Sequence, residues 1–304
     1  MAYKSEDKIA EGSAEEFVGK MIRSGHESVL EHGNLIFMCS SLVYEYIRTA
    51  KERIEETGGF AFLRFTKEDG YKRKRHIVSG NVRAWRDFIR GCQKFDLRFP
   101  KALVYQFSTM SVLFGDLVKF DYDASVAKME KKAEKHFKRI GNSDLLTGNE
   151  LKVHYCVTAR FTTNRGVSHE IVRHRPAAYT QSSTRYCNYS GDKFGNEITV
   201  IDPGFWPVDD PRYELWHKAV SDAEKSYMDL IDAGAAPQEA RDVLNNALMT
   251  EVVMTTNLAE WHHYLKLRTS KGAHPHIREI SSDLLDIFKQ DIKIKHQFDG
   301  IEVA

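Results

Sequence analysis

The sequence has little of what marks secreted, membrane-spanning and polyanion-binding proteins. Its four cysteines in 304 residues are scattered and form no CxxC pair, which excludes a dense disulfide framework and predicts reduced thiols. No stretch approaches the roughly 18 uninterrupted apolar residues of a membrane helix, and no apolar leader core is present. The 44 basic and 43 acidic residues leave a net charge of +1, which disfavours a long nucleic acid as partner. We therefore expect a soluble, cytoplasmic protein without a membrane partner.

Helical and strand patterns alternate along the chain. Apolar periodicity and end signals such as Gly234 and Pro237 predict a series of helices, at 41–56, 122–139, about 211–233, from near 237, 257–270 and 277–292. Strict alternation predicts one strand over 151–162, and a Gly-, Pro- and Asp-rich stretch at 188–210 predicts a loop with one short strand. These patterns indicate an α/β protein.

Two other patterns point to no particular function. The basic run over 70–80, GYKRKRHIVSG, has no glycine cradle or interleaved aromatic residues, so we interpret it as a solvated loop or strand edge. Residues 80–91 and 256–268 resemble each other, and each has Asn four residues before Trp. Shared helical amphipathicity is sufficient to explain that resemblance.

Positive charge is concentrated between residues 165 and 186. Arg165, Arg173, Arg175 and Arg185 stand against the single acid Glu170. Arginine binds phosphate or carboxylate through a planar five-donor fork, and a run of hydroxyl and amide side chains follows at 179–184, in which an amide could bind a pyrimidine edge. The segment predicts a pocket for an anion and a base, the alternative being an exposed basic turn paired with acids elsewhere.

No metal site is expected. The segment HEIVRH at 169–174 differs from the zinc motif HExxH because its second histidine lies five residues on, which places the two rings on different helix faces. A second histidine group lies at 262, 263, 274 and 276, and adjacent or alternate histidines seldom bind one metal without cysteine or carboxylate partners. It is better interpreted as surface or ring-stacking residues.

Three ordered blocks together resemble one enzyme family. Arg173-His174-Arg175 is followed after seven residues by Ser183 and then by Arg185-Tyr186; GHESVLEH stands upstream at 25–32; and Ala240-Arg241, Asn257 and Leu267-Arg268 follow downstream. This order is similar to that of the flavin-dependent thymidylate synthases. The resemblance implies an α/β (α+β) fold with a central sheet flanked by long helices, and a homotetramer with shared active sites.

The resemblance also implies a reaction and its residues. FAD, NADPH and 5,10-methylenetetrahydrofolate would convert dUMP to dTMP without a protein nucleophile. Arg268 is the implied catalytic residue, because a guanidinium at the uracil carbonyl stabilises the charge that develops on the ring. The implied FAD contacts are His26, Ser28, Arg173, His174, Arg175, Gln181, Asn257, Leu258, Ala259 and His263. The implied dUMP contacts are Glu170, Ile171, Val172, Arg173, Gln181, Ser182, Ser183, Thr184, Arg185, Arg268 and, from a neighbouring subunit, Arg241.

The chain departs from the family pattern in several places. Glu170, His169, Ala259 and His274 replace residues that are often Gln, Arg, Arg and Gln. A segment over 40–150 separates the upstream block from the RHR motif, and we expect a mostly helical insertion in a single domain, 1–304, whose core is 20–38 and 150–290. Two alternative functions stay open. One is a non-catalytic nucleotide- or RNA-binding protein, and the other is a flavin-dependent methyltransferase that acts on another pyrimidine.

Overall fold

Helices and strands alternate along the chain, in the mixed class that the sequence predicts. A computed structural model describes residues 9–69, 74–118, 133–141, 143–185, 187–191 and 195–304. Contacts divide the chain into two compact units, a first unit of Ala10–Val157 with Thr255–Ala259 and a second unit made chiefly of Thr158–Met254 and Glu260–Ala304. No helix of these described residues is long and apolar enough to cross a membrane.

The first unit is built on a four-stranded antiparallel sheet in the order β2-β3-β1-β4. Its strands are β1 (Asn34–Cys39), β2 (Arg64–Asp69), β3 (Lys74–Asn81) and β4 (Phe137–Arg139). Its helices are α1 (Ser13–Arg23), α2 (Ser41–Glu56), α3 (Val82–Lys94), α4 (Lys101–Ser108), α5 (Ser111–Phe114) and α6 (Gly148–His154), with 3₁₀ turns at Glu27–His32 and Ser143–Leu145. Buried aromatic side chains fill its core, where Phe37 stacks on Phe137 at 4.2 Å and meets Trp85 edge-on at 5.2 Å.

The second sheet has three strands in the order β5-β7-β6. They are β5 (Cys156–Asn164), β6 (Ala178–Gln181) and β7 (Met249–Asn257). The helices are α7 (Arg165–Ile171), α8 (Pro211–Asp232), α9 (Pro237–Ala240), α10 (Leu258–Arg268) and α11 (Pro275–Gln290), with 3₁₀ turns at Arg241–Val243 and Lys295–Phe298. Trp261, which has no exposed surface, contacts the rings of Phe161, Tyr264 and Phe288, and these contacts form the centre of the second unit.

Most of the predicted helices are confirmed. α2 has the predicted bounds, and α8 ends two residues before Gly234, whose φ of +95° suits a glycine at a helix end. α9 begins at Pro237, while α10 and α11 begin and end within two residues of the predicted positions. The strands, however, form two small sheets where the resemblance implied one central sheet.

The predicted strand over 151–162 is wrong in its first half. Gly148–His154 is a helix, because Thr147 and Glu150 form a capping box at its start. Glu150 also pairs with Arg75 at 2.7 Å, with both side chains almost fully buried. That burial contradicts the interpretation of the basic run as solvated, at least at Arg75; residues 70–73 of the run lie outside the described residues. The alternation holds further on, where Ala159 and Phe161 are buried.

The predicted helix over 122–139 is wrong at its end, and residues 122–132 lie outside the described residues. Phe137–Arg139 pairs with β1, because the Phe137 ring is buried against Phe37. The described part of segment 40–150 is mostly helical, as predicted, but it also supplies three of the four strands of the first sheet. In 188–210, the described residues contain one isolated bridge, between Val200 and Leu248. The single-domain organisation stays a prediction.

Candidate functional site

The site begins where β5 turns into α7. Asn164 ends the strand, and its side-chain oxygen accepts a hydrogen bond from the Val167 backbone N–H at 2.8 Å, which caps the helix. The Asn164 amide nitrogen donates to His276 Nδ1 at 3.1 Å. One side chain therefore starts α7 and anchors it to α11.

Arg268, at the end of α10, lies against residues of and just after α7. Its Nη1 donates to Glu170 Oε2 at 2.5 Å, its Nη2 to the Glu170 carbonyl at 3.2 Å, and its Nε to His174 Nε2 at 2.9 Å. The Arg268 side chain is 14% exposed and that of Glu170 34%. The three bonds use three of the five N–H groups of a guanidinium. The other two can meet a ligand while the side chain stays in place.

His174 is neutral in this arrangement. Burial, aided by neighbouring Arg268 and His263, lowers the pKa of His174 to about 4. Because Arg268 can only donate, Nε2 of His174 must be the unprotonated nitrogen and Nδ1 must carry the proton. The His174 ring meets Tyr264 edge-on at 4.7 Å and His263 at 6.1 Å. The ring contacts therefore hold the imidazole in place, and the bond from Arg268 fixes its tautomer.

The two arginines that flank His174 are exposed. Arg175 lies over the Tyr179 ring at 5.3 Å and donates to the Val172 carbonyl at 2.7 Å. The Tyr179 hydroxyl donates to the carbonyls of Ile171 and His174 at 3.0 and 2.7 Å, and burial raises the pKa of Tyr179 to about 12. This bonding closes the turn after α7 and leaves Arg173 and Arg175 on the surface, as suits anion binding.

The predicted dUMP contacts at the end of β6 and in the loop after it are half-buried, apart from exposed Arg185. Gln181 donates its amide to Ser168 Oγ at 2.9 Å and to Thr250 Oγ1 at 3.2 Å. Ser183 Oγ accepts from the Arg185 backbone N–H at 3.4 Å. These bonds position Gln181 and Ser183, and Tyr186 lies outside the described residues.

A polar cavity of about 400 Å³ lies on one side of α7. Its charged and polar lining includes Arg165, His169, Thr184, Arg241 and Asp242. Arg165 and Arg241 make it the place in the second unit best suited to a phosphate. The resemblance implied that Arg241 comes from a neighbouring subunit, whereas here it lines the same cavity as Thr184 within one chain.

A second cavity, of about 500 Å³, lies on the face of α7 that carries Glu170. Three aromatic residues line it, Phe205, Trp206 and Trp216, and sequence reasoning missed all three. The sequence signal for them was the Phe-Trp pair inside a Gly- and Pro-rich loop. Large aromatic side chains in such a loop are expected to pack against another surface of the protein. Asn245 and Asn246 line both cavities.

The second histidine group has stacking roles, as the sequence predicts. The ring of His276 lies parallel to Phe205 at 4.6 Å, and His274 meets both rings edge-on. His276 Nε2 donates to the Pro203 carbonyl, which places its proton on that nitrogen. Across the part of the chain that the structure describes, no group of three or more His, Cys, Asp or Glu side chains is arranged to hold a metal ion.

Five predicted flavin contacts belong to the first unit. His26 and Ser28 are exposed at the 3₁₀ turn, on either side of buried Glu27. Asn257 donates its side-chain amide to the Val153 carbonyl at 3.1 Å, and the backbone N–H of buried Leu258 donates to Tyr155 at 3.2 Å. Ala259 is half-buried. The roles of all five residues, like those of the second-unit residues, stay predictions.

Comparisons with known proteins agree on one family. A family model described as Thymidylate synthase complementing protein matches residues 119–292, more than half of the chain. The flavin-dependent thymidylate synthase of Geobacter sulfurreducens is 33% identical over 41% of this chain and 53% of its own length. Those of Pyrococcus furiosus and Thermococcus onnurineus are 33% and 34% identical over 52% and 51% of this chain. The chain spans 63% and 62% of the length of these two relatives.

Proposed function

Since the chain belongs to the thymidylate synthase complementing protein family, we propose that it is a flavin-dependent thymidylate synthase that methylates dUMP to dTMP. One observation carries the proposal from the structure. Arg268, the implied catalytic residue, is held by Glu170 and His174, and the short helix that carries Glu170 also presents Arg165 to the polar cavity. Cations for both ends of a nucleotide are therefore present in the second unit.

In this proposal the nucleotide phosphate binds in the polar cavity. Arg165 and Arg241 neutralise it and Thr184 donates a hydroxyl. The uracil ring lies toward Glu170 and Arg268, whose adjacent acceptor and donor match the N3–H and O4 of uracil. Arg268 then stabilises the negative charge that moves onto the ring oxygen as C5 becomes nucleophilic. His174 keeps Arg268 in place without adding a charge of its own.

The exposed residues of the RHR motif fit a flavin dinucleotide. Arg173 and Arg175 offer two surface guanidinium groups to a pyrophosphate, and exposed His263 offers a ring and a donor beside His174. Bound there, FAD would supply hydride and one-carbon transfer. Gln181 is a further proposed FAD contact in the second unit, and His26, Ser28, Asn257, Leu258 and Ala259 are the proposed FAD contacts in the first unit.

The cysteines support a reaction without a protein nucleophile. Cys39, Cys92 and Cys187 are buried, and Cys156 is half-buried. Burial raises the pKa of Cys39, Cys92 and Cys156, in the case of Cys92 to about 12. A thiol with a raised pKa is a poor source of thiolate at neutral pH. Attack on uracil C6 by a cysteine of this chain is therefore disfavoured.

Three finer statements belong to the same proposal. NADPH and 5,10-methylenetetrahydrofolate are the co-substrates, the chain assembles as a homotetramer with shared active sites, and it acts in the cytoplasm, where these substrates occur. Light scattering of the purified protein tests the assembly, for which we expect four chains of 35.0 kDa.

The reaction is tested on the purified protein. We expect a flavin absorbance spectrum, an NADPH oxidation rate that rises when dUMP is added, and dTMP as the product once methylenetetrahydrofolate is present. A protein that stays colourless after reconstitution with FAD contradicts the proposal. Mass analysis of the product decides between dTMP and another methylated pyrimidine, and binding of dUMP without turnover would favour a non-catalytic nucleotide-binding protein.

A further inference from the structure

Three strands of the first sheet have the same order and connections as the three strands of the second sheet. In the first, the chain runs from a helical turn through β1, α2, β2 and β3 to α3, and the strands lie in the order β2-β3-β1. In the second, it runs from α6 through β5, α7, β6 and β7 to α10, and the order is β6-β7-β5. The second path differs by an excursion through α8 and α9 between β6 and β7. We name Glu27–Lys94 copy A and Gly148–Arg268 copy B.

Equivalent side chains make equivalent contacts in the two copies. β3 and β7 both end in asparagine, Asn81 and Asn257, and the tryptophan four residues later has no exposed surface in either helix. Each tryptophan meets the phenylalanine of the copy's first strand, Trp85 on Phe37 at 5.2 Å and Trp261 on Phe161 at 6.3 Å. Amphipathicity alone does not produce matching strand order and matching ring partners, so the sequence similarity of 80–91 and 256–268 reflects a repeat.

Two further bonds, both inside the first unit, are reciprocal between the copies. His32 ends the helical turn before β1, and its Nδ1 bonds the hydroxyl of Thr255 at 2.7 Å. His154 ends α6, before β5, and its Nδ1 bonds the hydroxyl of Ser79 at 2.7 Å. Ser79 and Thr255 both lie two residues before the terminal asparagine of their strand. In each copy, the histidine before the first strand thus bonds the hydroxyl that lies two residues before the terminal asparagine of the other copy's last strand.

The copies differ at the charged residues of the candidate site. Counting from the start of each helix, Glu170 corresponds to Tyr46 and Arg268 to Cys92. Glu170 and Arg268 form an ion pair in copy B, whereas in copy A the Tyr46 hydroxyl and the Cys92 thiol are both buried. By the same count His174 corresponds to Ala50. Copy A therefore has no counterpart of the guanidinium, the carboxylate or the imidazole.

We propose that copies A and B are repeats of one fold, that the nucleotide site survives only in copy B, and that each chain therefore binds one nucleotide. The single-site statement rests on the proposed function, because it takes dUMP as the ligand. Residues 40–94, about half of the segment 40–150 that was expected to be an insertion, are on this view part of a copy of the site-bearing fold that contributes packing.

Titration calorimetry of the FAD-loaded protein with dUMP tests the site count. We expect one dUMP for each chain, and two would overturn the proposal. Tyr46→Phe keeps the ring of copy A and should leave the affinity within twofold of the wild type, whereas Arg268→Ala in copy B should weaken it at least tenfold. A loss in Tyr46→Phe equal to that in Arg268→Ala would show a site in copy A and overturn the proposal.

A crystal structure of the chain tests the repeat without any ligand. Superposition of Glu27–Lys94 on Gly148–Arg268 should match three strands in the same order and both tryptophan–phenylalanine pairs, and a different strand order would overturn the repeat. If the wild-type protein binds no dUMP at all, the proposed function and the single-site statement both fail, while the superposition still decides the repeat.

Discussion

At the scale of single residues, the site depends on how one guanidinium is held. Arg268 bonds an acid and a neutral imidazole at once, through donors whose directions are fixed by the planar guanidinium. The ion pair with Glu170 is partly exposed, so its own contribution to stability is small. Its value is in fixing the direction of the N–H groups that remain for the substrate.

We expect Arg268→Lys to lower turnover by about 100-fold or more, while the flavin absorbance stays. A lysine keeps the charge, but its compact ammonium lacks the planar fork that fixes the donor directions toward Glu170 and His174, and a displaced donor loses most of its stabilisation of the developing charge. Steady-state rates with saturating dUMP measure this. Arg48→Lys is the matched control, because Arg48 is exposed and pairs with Glu45 and Glu52 of its own helix α2; wild-type turnover in Arg268→Lys would contradict the assigned role.

At the scale of elements, strand ends that turn directly into helices position the site. β5 leads into α7 through Asn164 and β7 leads into α10 after Asn257, so the residues of both helices start from a rigid sheet. α7 has only seven residues and is too short to be stable by propensity alone. Its cap and its burial of Val167 and Ile171 must hold it.

Substitutions of Asn164 should separate its capping of α7 from its bond to His276. Asn164→Ala is expected to lower the free energy of unfolding by about 1 to 2 kcal/mol, because both the cap and the bond to His276 disappear. Asn164→Asp keeps the acceptor for Val167 and loses only the donor, so it should cost less. Asn81→Ala, which removes the cap of α3, is the matched control in the other copy. Equal losses for Asn164→Ala and Asn164→Asp in urea unfolding would argue against a capping role.

At the scale of the whole molecule, each unit contains a neutral buried histidine. Burial is the main cause that lowers the pKa of His154 to about 3 in the first unit and that of His174 to about 4 in the second. Both values lie below the ordinary 6.5 of an unfolded chain. The unfolded state therefore binds more protons than the folded state below pH 6.5, and acid favours unfolding.

We expect the stability to fall as the pH drops from 6.5 toward 4. Each histidine should contribute a loss of about 2 kcal/mol between pH 6.5 and 5, which is the linkage value for a group that stays neutral while its unfolded counterpart is protonated. Urea unfolding at a series of pH values measures it. A stability that is flat or rises on acidification would contradict the prediction.

The sequence by itself determined the secondary structure wherever a local pattern was strong. The α2 and α8 helices, the Gly234 end and the start of α9 follow from periodicity and end signals that act within a few residues. The family and the cluster of site residues also came from the sequence, because the spacing of Arg173, Ser183 and Arg268 is a property of the linear order.

Only the tertiary structure decided the rest. It placed Glu150 of the helix 148–154, which a local capping box starts, in a buried ion pair with distant Arg75. It also brought Arg241 to Thr184 and Phe205 to His276. The similarity of 80–91 and 256–268 can be interpreted as a repeat only from the strand order and the ring contacts. Such pairings depend on which surfaces meet when the chain is compact, and no local pattern carries that information.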